Sequence, residues 1–226
     1  MKKILFSIIF IFYSSSTIAH LEHYNNLNKI EMEILRNNEV IGYNYYFFKR
    51  ENNKTSVSNK YKFTVNLFGA KIFEVEGYGD EKYFQNKLIS FQSQTLQNGK
   101  KKYVNLVYNE DSNKFDIEGS SFTGEAEPEN IIGNWWSHKI LQANSQISPI
   151  SGSIKEQIVT FIGNQKINLY GKNYETEHFK LTSKDMTLPE NKKLNFDIWL
   201  DKKTSMIIKV SYERMGKWEY RLKNFE

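Results

Sequence analysis

Four histidines and a few paired carboxylates are the side chains here with metal or proton chemistry, because the chain has no cysteine. That absence excludes thiolate zinc sites, iron–sulfur clusters, disulfides and a cysteine nucleophile together. His20-Leu21-Glu22-His23 is the most unusual cluster. If the chain is processed after Ala19, the amine and imidazole of His20 can chelate copper, with His23 supplying a second imidazole. A frayed terminus that happens to begin with histidine explains the same residues, and a cleavage shifted by one residue abolishes the site. His138 and His178 sit at no metal-ligand spacing, so no other metal site and no cofactor is expected. Glu74 and Glu76 share one face of a predicted strand, as do Asp197 and Asp201, and such pairs could hydrolyse by acid–base chemistry. Same-face acids on strands more often form the wet face, and Asp201 suits the start of a turn, so no catalytic residue is assigned. There is no Gly-x-Ser-x-Gly elbow, P-loop or dinucleotide fingerprint, and Gly77-Tyr78-Gly79 precedes no helix. Aromatic residues offer a different chemistry. Trp135, Trp136 and Trp199 are candidate ligand contacts, since an amphipathic ring is useful at a cavity mouth.

The elements that must position these residues begin after residue 19. Lys2 and Lys3 precede an apolar run from Ile4 to Tyr13, followed by small residues with Thr17 and Ala19 at the −3 and −1 positions. This reads as a secretory signal peptide cleaved after Ala19 and predicts a periplasmic protein. The apolar run is shorter than the ~20 residues a spanning helix needs, and no later stretch approaches that length. Residues 20–226 are expected to form one domain, given an ordinary domain size of about 100–200 residues and the absence of repeats or linkers. The net charge of +5 comes from 31 basic and 26 acidic residues, but only four of the basic residues are Arg (Arg36, Arg50, Arg214 and Arg221). Arg is the usual phosphate- and base-reading side chain, so no nucleic-acid partner is expected.

The periodicity of two predicts strands almost throughout. Phe196, Ile198 and Leu200 alternate with Asp197, Trp199 and Asp201. Met206, Ile208, Val210 and Tyr212 share a face, as do Trp218, Tyr220 and Leu222. Ile30, Met32 and Ile34 alternate with glutamates, and Asn98-Gly99 is suited to a type I′ hairpin. Ile154–Ile162 and Lys166–Tyr170 read as two strands separated by Gly163-Asn164-Gln165. Ser120–Pro128 reads as a surface loop. Residues 130–143 place Ile132, Trp136, Ile140 and Ala143 at helical spacing and predict a short helix. On a helix, neighbours diverge by about 100°, so only one of Trp135 and Trp136 would face inward. The expected fold is therefore all-β: an antiparallel meander of about eleven or twelve strands forming a barrel or half-barrel, with one short helix across it.

Several segments together carry a family resemblance. They are Val40-Ile41-Gly42-Tyr43, Phe73-Glu74-Val75-Glu76, Lys87-Leu88-Ile89-Ser90-Phe91 and Gly133-Asn134-Trp135-Trp136. The closing set is Asp197-Ile198-Trp199-Leu200-Asp201, Ile208-Lys209-Val210-Ser211-Tyr212 and Trp218-Glu219-Tyr220-Arg221-Leu222. Over about residues 30–223 the chain resembles a family of exported proteobacterial proteins described only as a domain of unknown function. More distantly, its pattern is similar to periplasmic lipoprotein-localisation-factor-like half-barrels, which hold acyl chains in a concave apolar sheet. The resemblance brings no catalytic residue. It implies a non-catalytic binder or carrier of an apolar or amphipathic, lipid-like ligand, gated by residues 130–143. An envelope structural or interaction protein and a carboxylate-pair hydrolase are the alternatives. The residues name no protein partner.

Overall fold

The computed structural model describes Tyr24 and residues 26–226; His20, His23 and the predicted signal peptide lie outside these described residues. Fifteen strands run in order: Lys29–Arg36 (β1), Glu39–Glu51 (β2), Lys54–Leu67 (β3), Ala70–Phe84 (β4), Lys87–Gln97 (β5) and Lys100–Asn109 (β6). Lys114–Gly119 (β7), Phe122–Ala126 (β8), Ile131–Ile132 (β9), Ser145–Ile147 (β10) and Ile154–Leu169 (β11) follow. Lys172–Ser183 (β12), Asn195–Asp201 (β13), Ile207–Glu213 (β14) and Lys217–Phe225 (β15) complete the sheet.

Alternation builds these strands. Ile30, Met32 and Ile34 are buried while Glu31 and Glu33 are not, and Phe91, Ser93 and Thr95 repeat the pattern on β5. The hairpin turns use residues that tolerate positive φ: Asn37-Asn38 (50° and 68°), Asn98-Gly99 (47° and 76°) and Tyr170-Gly171 (50° and 81°). Both central residues of a type I′ turn require this conformation, whose twist matches the flanking strands.

One sheet contains every strand, in the order β8-β7-β6-β5-β4-β3-β2-β1-β15-β14-β13-β12-β11-β10-β9. Every neighbouring pair is antiparallel except β9 with β10. The N- and C-terminal strands pair in the middle, with Met32 opposite Leu222 and Ile34 opposite Tyr220. The free edges are β8 and β9, which are consecutive in the chain, and no ladder joins them. The sheet is barrel-like but not closed by hydrogen bonds. Residues 148–153 dress its seam: Ser121 N donates to Ser151 O (2.9 Å) and Ser93 Oγ donates to Pro149 O (2.6 Å).

The strand count exceeds the expected eleven or twelve because β7, β8, β9 and β10 are short, β8 lying within the expected Ser120–Pro128 loop. Conversely, the two strands expected on either side of residues 163–165 are one. Gly163, at φ 151°, sits at a register shift beside Phe161 and bends β11 without ending it. The expected helix over 130–143 is absent. In its place are β9, an irregular stretch that bends at Trp135-Trp136, and a short 3-10 turn over His138–Leu141 capped by Ser137. Gly133 and the adjacent tryptophans disfavour a helix, and a wall hydroxyl takes the Trp135 amide instead.

Residues 133–141 cross the inside of the sheet. One end of the interior is packed by Tyr24, Met32, Tyr46, Phe48, Trp136, Met206, Ile208 and Leu222. Tyr24 Oη donates to Ser205 O (3.1 Å) and bonds the His138 ring at Nδ1 (2.8 Å), joining the chain's first described residue to the crossing segment.

The seam predicts its own weak point. A Cβ on Gly119 would lie 2.6 Å from Ser151 O and 3.1 Å from Gly152 Cα, so Gly119→Ala must displace the sealing loop. Such overpacking costs about 1–3 kcal/mol. Hydrogen exchange should show the Ser121 amide losing protection while β2–β5 amides keep theirs; unchanged Ser121 protection would show that the loop does not seal the edge.

Candidate functional site

The other end of the interior is hollow. A cavity of ≈510 Å³ opens between the β2–β5 wall and the β13–β15 wall, over the crossing segment. Its volume is within the range of roughly 300–1,000 Å³ typical of small-molecule pockets. Seven of its aromatic side chains form a continuous belt. Phe73 meets Phe63 at 5.9 Å between ring centroids, and Phe63 meets Trp218 edge-on at 5.4 Å. Trp218 stacks on Tyr212 (5.9 Å, 8° between planes), Tyr212 meets Phe196 (5.3 Å), and Phe196 meets Trp135 (5.1 Å). Trp135 reaches Tyr220 at 6.2 Å, completing the belt.

These rings converge because they occupy alternate positions on neighbouring strands. Ile198, Val210 and Tyr220 lie in one cross-strand row, so Phe196, Tyr212 and Trp218 fall on the same inward face. Burial pushes the Tyr212 phenol up to about 12 and the Tyr220 phenol well above its ordinary value. Neither hydroxyl has a hydrogen-bond partner among the described residues, and no buried polar side-chain atom is left unsatisfied. Their hydroxyls therefore remain open to the cavity.

The facing wall is polar. Asn59 Nδ2 donates to Asn44 Oδ1 (2.5 Å), Asn44 Nδ2 donates to Tyr46 Oη (3.0 Å), and Trp135 N donates to the same oxygen (3.2 Å). Tyr61 Oη bonds Thr95 Oγ1 (2.6 Å), and Gly77 leaves the room that lets the Tyr61 ring lie against β4.

Glu81 anchors the floor. It is 3% exposed, and Asn134 Nδ2 and Trp136 Nε1 both donate to its Oε1 at 2.9 Å, while Tyr83 Oη donates to Oε2. Burial raises its pKa to about 7, against the lowering effect of these three donors and of Lys139 nearby. With three donors directed at it, Glu81 is an anchor for the crossing segment. Sequence reading missed it: Glu81 stands one residue after Asp80 in a charged run, and its inward direction depends on the β4 register alone.

The structure places the predicted residues as follows. Trp135 lines the cavity; Trp136 is buried below it among Tyr24, Phe48 and Tyr83. Both face inward, because the segment lies inside the barrel and bends at these two residues, so that each ring finds partners on a different side. Trp199 lies on the outer face, stacked on His178 (4.6 Å, 5°) beneath Lys209, with Nε1 donating to Gln165 Oε1 (2.7 Å). It does not line the cavity. Asp197 bonds His178 (2.9 Å) and Lys180 (2.8 Å), and Asp201 caps its turn by accepting from Thr204 N (3.0 Å). Glu74 pairs with Lys71 (2.7 Å) and Glu76 with Lys62 (2.8 Å) on the exposed face. Neither carboxylate pair enters the lumen. Among the described residues no group of three or more His, Asp or Glu could hold a metal ion, and no helix is long and apolar enough to cross a membrane.

A barrel-like β-sheet holding one aromatic-lined hollow is thus the class of protein that fold and site define. By sequence, the chain belongs to a family described as a domain of unknown function, DUF6134, matched over residues 32–223. Among solved structures it is similar to a beta-barrel-like protein of the domain of unknown function DUF1849 from Brucella abortus. That likeness has TM-score 0.58 and 7% identity, covering 88% of this chain and 96% of the other, and shows the fold alone. A DUF1329 family protein from Desulfovibrio piger aligns over 91% of this chain and 88% of its own, with 10% identity, but at TM-score 0.20 carries no argument. No curated protein matches the chain.

The Glu81 anchor sets a pH dependence. Its folded pKa of about 7 lies above the ordinary 4.5, so the folded state binds the extra proton. Its contribution to stability is full below pH 4.5 and is lost as pH rises through about 7. The span is about 3 kcal/mol at most. Denaturant titrations should show Glu81→Gln gaining on the wild type as pH rises from 5 to 8, whereas Glu81→Ala should be destabilised throughout. A constant difference between Glu81→Gln and wild type across that range would contradict the raised pKa.

Proposed function

We propose that this chain is an exported, periplasmic, non-catalytic binder or carrier of an amphipathic, lipid-like molecule, which it holds in the barrel lumen. The observation that carries this reading is the belt of seven rings around a ≈510 Å³ hollow. Burying each methylene of an alkyl tail there contributes about 0.8 kcal/mol, without requiring a defined polar contact. The open hydroxyls of Tyr212 and Tyr220, with the polar wall opposite, suit a ligand with both apolar and polar parts. Among the described residues the only carboxylate lining the lumen is Glu81, whose hydrogen bonds anchor the floor, and this supports sequestration over hydrolysis. The N-terminal sequence, with its basic start, apolar run and small residues before His20, supports export.

Native mass spectrometry of protein taken gently from a bacterial periplasm should show a stoichiometric adduct that organic extraction removes. The neutral fluorophore N-phenyl-1-naphthylamine should bind the extracted protein with enhanced emission. Trp135→Ala should weaken that binding about tenfold or more while leaving the far-UV circular dichroism unchanged. An apo mass together with no probe binding would overturn the carrier reading.

A further inference from the structure

The lumen is lopsided in charge. Lys102, Lys155 and Arg214 line it, against Glu81 as its one carboxylate. Among the described residues none of these three cations makes an ion pair, although most other buried or half-buried lysines of the sheet do. Lys155 and Arg214 are held at the same rim by the connection between β12 and β13: Lys155 Nζ donates to Lys192 O (2.8 Å), and Arg214 Nη2 donates to Asn191 O. Lys155 is half-buried, and its pKa is lowered first by burial and then by Arg214 and Lys192 beside it. Half-buried Lys155 and exposed Arg214 therefore bring like charges together at the rim with no ion-pair partner among the described residues, a repulsion that an entering anion would relieve.

This rim is continuous with the belt. Trp218 Nε1 donates to Arg214 O (2.9 Å), fixing the turn that carries Arg214 against the ring stacked on Tyr212. The Arg214 charge also acts on the Tyr212 phenol, opposing its rise. A molecule lying along the rings thus has one end beside Arg214 and Lys155. We infer that the ligand is a single-chain amphiphile with a compact anionic head, a carboxylate or a phosphate monoester, seated between Lys155 and Arg214 with its tail along the aromatic belt. This rests on the lumen reading above. Guanidinium is suited to bidentate pairing with either head, and the half-buried ammonium adds a charge-assisted bond.

The test is displacement of N-phenyl-1-naphthylamine from the full chain by dodecanoate, dodecyl phosphate, dodecanol and dodecyltrimethylammonium. Displacement by at least one anionic probe at a concentration about tenfold or more below that for dodecanol supports the assignment; which anion does so separates a fatty-acid head from a phosphate head. The double variant Lys155→Gln/Arg214→Gln should lose this preference and leave dodecanol unaffected. Lys155→Glu should shift preference toward dodecyltrimethylammonium. Both side chains bond only backbone carbonyls at the rim, so circular dichroism should match wild type. Equal displacement by dodecanol and both anions, or a preference that survives the double variant, would overturn the head-group assignment and leave the lumen reading standing. Failure of all four compounds to displace the probe would overturn both.

Discussion

The interior is organised around one buried carboxylate. Taking Glu81 out of water is costly unless its oxygens are bonded, and the donors available are Tyr83 on its own strand and Asn134 and Trp136 on the crossing segment. The cheapest arrangement brings that segment onto the β4 wall. Once Trp136 donates to Glu81, its ring must lie among Tyr24, Phe48 and Tyr83 in the packed end. The chain bends at Trp135-Trp136, and Trp135 is turned toward Phe196 and Tyr220 in the hollow end. Two adjacent tryptophans thereby serve one packed core and one cavity.

The cavity itself follows from the size of the sheet. An eight-stranded barrel is just filled by its own side chains, and circumference grows with strand number. Fifteen strands enclose more space than inward residues can occupy, even with many aromatics. The crossing segment fills one end, and the remainder stays open. The same size explains the seam. The pairing of β1 with β15 places the first and last strands in the middle of the sheet and sends the sheet edges to β8 and β9. There a few short strands and the 148–153 backbone replace a ladder.

The sequence was legible where one strand face is wet. Alternation at Ile30–Ile34, Phe196–Leu200 and Trp218–Leu222 predicted the inward faces that hold the core and three rings of the belt, and Asn98-Gly99 predicted its turn. It failed where one residue breaks phase. Gly163 resembles a turn locally but is absorbed as a bulge by the continuing β12 ladder. Residues 130–143 have helical spacing because three separate buried clusters take Ile132, Trp136 and Ile140 in turn, which mimics the helix period without forming a helix. Trp199 and Glu81 show the same limit. An aromatic residue on the outer face is buried by His178 and Lys209, and an acid on the inner face by its donors, so polarity misreports direction in both.

The Glu81 anchor also bears on how a ligand would enter. A gate must open at small cost. Lifting residues 133–137 would strip Glu81 of two donors, release the Trp135 amide from Tyr46 and expose Trp136, while leaving the buried carboxyl with the Tyr83 donor alone. Breaking such a buried charged network costs about 3–5 kcal/mol before any lost packing is counted. The rim opposite is built differently. There Lys155 and Arg214 hold the β12–β13 connection by bonds to exposed backbone carbonyls, which water can replace with little loss. The crossing segment is therefore better suited to be the floor of the lumen. The rim is the side where a head group could be admitted, neutralised by the cations and released, with the tail sliding along rings that make no directional demand on it.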